Sequence, residues 1–483
     1  MKNTQENITA KTERILLAAY NAWSNGAELR RNRNRNKNFT YGKQWNDLTT
    51  DIDGNPITEG RKIRETGKEP LTNNMMRQMV KSVVGRFRNT IKDEQHNDTL
   101  SSFIKSNQAD ELDSRALEEF LISGCCIQRV DFDIHCKNHL RIDNVNINRF
   151  FVNTIQDPRA WDCEIVGQLH DLSLAELIIK VGARNNRNRA SWIRDIYCNE
   201  NTQNDVTNFS TRLGANNEST FDFWYTHNNK FRAIEVWTIE STEILKCHDR
   251  KTAKYFTIPF TAKSSVDKEN NTRRKNNEPE ITTQWDITEV WRCRWFSPMG
   301  HLLAEYDSPY RHGTHPFVMK FYPLTDGEVH SFVEDVIDQQ KYVNRLITLI
   351  DHIMGASAKG VLLFPETGLP EGFTWNDIKR IWSATNGIIP YSPNHSGDIP
   401  KQISTNATDI GAYEMLQIQM KLFEDISGVN SALQGKLTST TIGSETFQRQ
   451  IDNATIALGD IYETFNALRS DRNQKLMSII PLP

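Results

Sequence analysis

Two stretches repeat apolar residues at alternating three- and four-residue steps for long enough to dictate helices. In the first, Val329, Val333, Val336, Val343, Ile347, Ile350 and Met354 keep the pattern, with Gln340 filling the one missing place. At 3.6 residues per turn these positions share a face, so the spacing predicts a helix of about seven turns that ends at Gly355. In the second, Phe447, Ile451, Ala454, Leu458, Ile461, Phe465 and Leu468 form an unbroken seam, with Ser444 placed as N-cap and Glu445 at the positive end of the helix dipole. Such a seam packs lengthwise on another helix, of the same chain or of a second subunit, and periodicity alone does not say which.

Other segments read differently. Ile8, Ile15, Leu16, Tyr20 and Trp23 predict an opening amphipathic helix, and Met75, Met79, Val83 and Phe87 mark another whose striped face is core. ALEEFLISGCCIQRVDFDIH reads as a helix that breaks at Gly124 and enters a strand of period two. HLRIDNVNINRFFVNTIQDPRAWDCEIVGQLH continues an antiparallel sheet, turning at Asp157-Pro158. Residues 184–219 are Asn-rich and read as a surface excursion. A second β-rich block holds FRAIEVWTIESTEILKCH and ITEVWRCRWFSPMGHLLAEYDSPY, interrupted by DKENNTRRKNNEPE as a loop and closed by HPFVMKFYP. The class implied is α+β, of two to four packed units.

The stretch RRNRNRNKNFTYGKQW raises nucleic acid as a partner. In an extended segment Arg31, Arg33, Arg35 and Lys37 would share one face at about 7 Å intervals, near the spacing of alternate phosphates. Yet Lys+Arg total 58 against Asp+Glu 61, a formal net charge of -3, which argues against tight wrapping of DNA. The stretch is therefore read as a solvated loop, or a contact with an acidic neighbour or with DNA. Seven cysteines without CxxC spacing agree with free thiols in a reducing compartment. Cys125, Cys126, Cys136 and His139 lack the spacing of a zinc site. Asp131, Asp133 and His135 would face one side of a strand as metal ligands could, although any half-buried strand needs a polar face. Ser102 and Lys105 fit SxxK without its companion motifs, and His312 and His315 sit in a turn beside a proline. Phosphate-loop, HExxH, GxSxG and GxGxxG patterns are missing, so no catalytic residue and no cofactor is expected. No apolar run reaches membrane-spanning length, and MKNTQENITA lacks a secretion signal, which makes the cytoplasm the default compartment.

Six motifs in order carry more information than any one: YGKQW after a helix, PLTNNMMRQMVKSVVG, SGCCIQRVDFD, INRFFVNTIQDPRAWDCE, HPFVMKFYP before DVIDQQKYVNRL, and ISGVNSALQGKLTSTTIGSETFQRQ. Together they resemble the portal (head-to-tail connector) proteins of tailed bacteriophages, especially the short-tailed type. The resemblance implies a dodecameric ring at one capsid vertex of the virion, assembled in the host cytoplasm. It would pass double-stranded DNA without sequence specificity in packaging and ejection, beside the major capsid protein, the terminase and a tail adaptor, with no membrane. It also implies a portal fold: a mixed α/β wing over 1–240, a first stem helix and β-containing clip over 241–328, a second stem helix over 329–355, a wing return with channel loop and long helix over 356–430, and an α-helical crown over 431–483. Asp338, Gln339, Gln340 and Asn344 match polar positions at the start of the second stem helix. Channel-loop candidates are Asn394, His395 and Lys401 in 392–406, with Lys359 in 355–360 as second choice. Phe447, Ile451, Leu458, Ile461 and Phe465 would be the crown seam. The rival readings are a metal-dependent phage nuclease using Asp131, Asp133 and His135, and a head-to-tail interaction protein without a channel.

Overall fold

A computed structural model describes residues 2–91, 98–132, 140–183, 185–198, 206–207, 209, 222–226, 230–359, 361–383, 388–392, 399–403, 411–429, 433–434 and 455–479. The chain divides into two compact units. One comprises Met1–Asn36, Val80–Glu334 and Ile451–Pro483, the other Lys37–Met79 and Asp335–Gln450.

The first unit is built on antiparallel sheet. Strands Leu302–Asp307, Ile281–Phe296, Phe231–Asp249, Ile165–Leu172 and Phe150–Val152 pair in that order, with Lys254–Pro259 beside Phe231–Asp249. A separate three-stranded sheet orders Phe317–Phe321, Cys125–Phe132 and Leu140–Asn144, so HPFVMKFYP closes this sheet and not the block before it. Alternate residues of both sheets, among them Val130, Ile142, Val166, Trp237, Cys293 and Phe317, fill one apolar core. Gly167 is required where it stands: a Cβ there would lie 2.2 Å from Glu235 O and from the Phe151 ring. The helix Ala109–Ser123 ends on Gly124 at φ 70°, whose N–H closes on Phe120 O at 2.8 Å, as the sequence predicts.

Phe231–Asp249 and Ile281–Phe296 stay paired from Ile234↔Phe296 to Asp249↔Ile281, a ribbon of roughly 50 Å at 3.4 Å per residue. Its far end has a small core of its own, Leu245, Cys247, Val266 and Ile281. Here the structure corrects the sequence reading, because the charged interruption begins as the helix Lys263–Lys275 and not as a loop. Val266 anchors it, and the Asn270 amide both donates to Ile281 O (2.9 Å) and accepts from Ile281 N (2.8 Å). Apart from the 3-10 turn Phe260–Ala262 that leads into it, this is the one helix described between 241 and 328, a block otherwise made of strands.

The basic stretch is corrected too. Ala27–Thr40 is helical, so Arg31, Arg33, Arg35 and Lys37 do not share a face. Instead Arg30, Arg33 and Asn36, spaced by three, turn inward and are buried, while Arg31, Arg35 and Lys37 stay exposed. Arg30 lies over the Trp23 ring at 3.9 Å, and burial lowers its pKa to about 10. Arg33 grips Glu119 with two bonds of 2.6 and 2.7 Å. Asn36 Nδ2 reaches Ile122 O, Ser331 Oγ and Glu334.

That last contact explains a third difference. Ser331 N donates to Glu334 Oε2, making a polar turn that holds 331–334, and the long helix begins only at Ile337. Val333 and Val336 are buried from a turn and a short 3-10 segment, and the helix runs through Gly355 to Lys359. In the second unit this helix packs on Ala412–Ser427. Between them in sequence, Val361–Leu363 pairs antiparallel with Lys401–Ile403, and the helix Trp375–Ser383 lies in the intervening segment.

Candidate functional site

One stripe of the long helix is polar and buried. Gln340 is 0% exposed and Asn344 1%, and Thr348 follows one turn on. Gln340 Oε1 accepts from the backbone N–H of Met75 (3.0 Å) and Met76 (3.3 Å), two donors in the first turn of the helix Met75–Ile91 that have no intrahelical partner. Its Nε2 donates to Asn73 O at 2.6 Å and to Asn344 Oδ1 at 3.1 Å. Asn344 Oδ1 accepts from Asn73 N at 3.0 Å, Thr348 Oγ1 accepts from Leu71 N at 3.0 Å, and Asn344 Nδ2 donates to Gln44 Oε1. Gln44 Nε2 in turn donates to Phe39 O at 2.8 Å and Asn74 Oδ1 at 3.2 Å. Next to this network Lys341 pairs with Asp47 and, at 3.0 Å, with Glu59, which also takes Arg345 at 3.3 Å.

Three motifs distant in sequence, YGKQW, LTNN and DQQKYVNR, thus meet in one hydrogen-bonded junction. Of the predicted stem positions, Gln340 and Asn344 are its centre. Asp338 is exposed, and Gln339 is half-buried with Oε1 lacking a hydrogen-bond partner. Gln44, Asn73, Asn74 and Thr348 were not singled out from sequence. The one available signal was amides clustered beside a predicted helix start.

In the first unit the last helix, Gly459–Ile479, is held by a second polar junction. Asp113 accepts from Arg469 Nε at 3.0 Å, from Arg472 and, at 3.0 Å, from Gln128 Nε2, with Arg472 itself 0% exposed. Leu458, Ile461, Phe465 and Leu468 are buried, with the Phe465 ring 5.2 Å from Phe87 and 6.0 Å from Phe120. The described part of the seam is therefore core of its own chain and not an intersubunit face. Phe447 and Ile451 lie outside the described residues, as do Asn394 and His395. Lys401 stands on an exposed strand, and Lys359 is the last residue of the long helix.

A third buried cluster occupies the strand proposed for metal. Arg129 bonds Asp131 Oδ2 at 2.7 Å and also Glu235, which takes His170 Nε2 at 2.7 Å and Trp237 Nε1 at 2.8 Å. Burial pushes the Glu235 carboxyl up, but Arg129 and His170 outweigh it and hold the group well below the usual carboxylate range. Asp131 Oδ1 accepts from Tyr310 OH at 2.7 Å and from Phe132 N at 2.8 Å, so a metal ion would have to displace a guanidinium and a phenol. Asp133, His135, Cys136 and His139 lie outside the described residues. Cys125 and Cys126 are buried neighbours on a strand, and burial pushes the Cys125 thiol up to about 12, opposite to what a zinc thiolate needs. No group of three or more His, Cys, Asp or Glu suited to a metal is found among the described residues.

In these junctions buried amides and ion pairs join distant segments of one chain. A family model described as Phage P22-like portal protein matches residues 17–481, nearly the whole chain. The chain belongs to that family. It is accordingly a structural protein of a phage virion, a head-tail connector at a capsid vertex that forms an oligomeric ring. A search of curated proteins finds no match. No described helix is long and apolar enough to cross a membrane.

Proposed function

We propose that copies of this chain close into a ring, dodecameric as in the family the sequence resembles, through which the genome is packaged and ejected, and on which the terminase and a tail adaptor dock. In this reading Ile337–Lys359 and Ala412–Ser427 are the two stem helices, and the segment between them, with its strand pair and the helix Trp375–Ser383, is the clip. The resemblance alone implied a first stem helix and clip within 241–328, a block whose described elements are long strands and the helix Lys263–Lys275. The formal charge of -3 suits a conduit, since each phosphate neutralised by a cation adds affinity that resists sliding.

The observation that carries the reading is the surface of Ala412–Ser427. Phe423 and Ser427 are buried, yet Tyr413, Met415, Ile418, Leu422 and Ile426 remain 40–62% exposed. A helix apolar on more than one face is stable in water only when something covers the second face, and a neighbouring copy in a closed ring does so. Covering each of these side chains is worth roughly 1 kcal/mol. The double variant Ile418→Glu, Leu422→Glu is expected to sediment as monomer with an unchanged far-UV circular dichroism spectrum. Rings of normal mass from that variant would refute this placement of the interface.

A further inference from the structure

In the first unit a cleft of about 730 Å³ opens between the last helix and the strand Phe317–Phe321. His312, His315 and Lys475 are among the residues that line it. His312 Nδ1 accepts from Thr314 N at 3.1 Å, which places the proton of the neutral ring on Nε2, and that buried Nε2 has no hydrogen-bond partner. His315 Nδ1 likewise accepts from Phe317 N at 3.2 Å, so its Nε2 also carries the proton. Lys475 Nζ donates to His315 O at 2.8 Å and Phe317 O at 2.7 Å, which uses two of its three protons.

The charges around the cleft do not balance. Lys320 is answered by Asp471 at 2.9 Å and Arg159 by Asp157 at 2.9 Å, whereas Lys475 has no ion-pair partner among the described residues. Burial lowers Lys475 to about 8 and His312 to about 4, with His315 well below its ordinary value, so near neutral pH the ammonium is charged and both imidazoles are neutral donors. A buried cation held only by carbonyls, beside an N–H with nothing to bond, is a costly arrangement that an anion would complete.

We propose that this cleft is an oxyanion site that binds a phosphate group between His312 Nε2, His315 Nε2 and Lys475 Nζ. Two sources share that chemistry, free inorganic phosphate and the backbone of DNA. The test is calorimetric titration of the purified full-length protein with inorganic phosphate in phosphate- and sulfate-free buffer, repeated on His312→Phe and Lys475→Gln. The proposal expects saturable binding that each variant weakens at least about tenfold, the factor of one charge-assisted hydrogen bond. Because His312 is only half-buried and bonds only within its own turn, His312→Phe reads the site even if Lys475→Gln loosens the last helix. Displacement of the phosphate by a short DNA duplex assigns the site to the DNA backbone, and failure to displace assigns it to the free ion. No saturable heat, or equal affinity in wild type and both variants, overturns the site.

Discussion

Replacing Gln340 by Leu keeps the volume and the apolar stripe but removes every polar atom from the centre of the long-helix junction. The side chain is 0% exposed, so water does not take its place. Left without a partner is the N–H of Met76, while Met75 N–H and Asn73 O keep only the 3.0 Å bond between them and Asn344 loses one bond. An unmet buried donor or acceptor costs about 1–3 kcal/mol. With one buried donor unmet and the neighbouring bonds weakened, the net loss is set at about 2 kcal/mol, a factor of about thirty in the local opening equilibrium. Hydrogen exchange read by mass spectrometry is the direct assay, because the amide of Met76 is the one uncapped. Peptides covering 71–79 are expected to lose protection by that factor, while Asp338→Ala, at an exposed position of the same helix, leaves them unchanged. Protection in Gln340→Leu within about threefold of wild type would show that the junction does not hold this segment.

Arg33→Met should cost about 1–3 kcal/mol in denaturant unfolding through loss of its paired bonds to Glu119, and Arg31→Ala about zero. Equal effects would return the basic stretch to a solvated loop. Asp113→Ala leaves Arg472 and Arg469 as uncompensated buried charges and should cost about 3–5 kcal/mol, read as rapid proteolysis within 459–479. An unchanged digestion pattern would contradict the role of that polar junction in holding the last helix. Burial depresses His312 and His315 below the ordinary 6.5, so the unfolded chain binds more protons below that pH. Stability is then complete above about pH 6.5 and falls as pH drops toward 4, at up to about 1.4 kcal/mol per pH unit for each ring. His315→Gln should flatten that slope in denaturation curves taken at pH 7 and pH 5, and an identical slope would exclude its role.

Local pattern was enough for the elements whose burial follows local rules. Alternation exposed the strands on either side of Asp157-Pro158, the glycine cap exposed the end of Ala109–Ser123, and the three-four spacing exposed the long helix from Ile337 on and the described part of the last one, Gly459–Ile479. It failed where polar residues are buried by distant partners. Nothing in RRNRNRNK says that Arg33 meets Glu119, 86 residues away, or that Asn36 meets Ser331. Low hydropathy therefore looked like solvation, and in Lys263–Lys275 a single buried valine was too weak a stripe to announce a helix. Gln340 stood out as a gap in an apolar series, but its partners at 73, 75 and 76 are set by tertiary structure alone. The exposed apolar face of Ala412–Ser427 was hidden for a related reason: a helix apolar on two sides shows no clean stripe.

The central claim is that many copies close around a hole through which DNA passes. Electron micrographs of the purified, unmodified protein test it most directly. The account predicts closed rings with an open centre and one subunit count; isolated single copies at all protein concentrations, or open filaments, would contradict it.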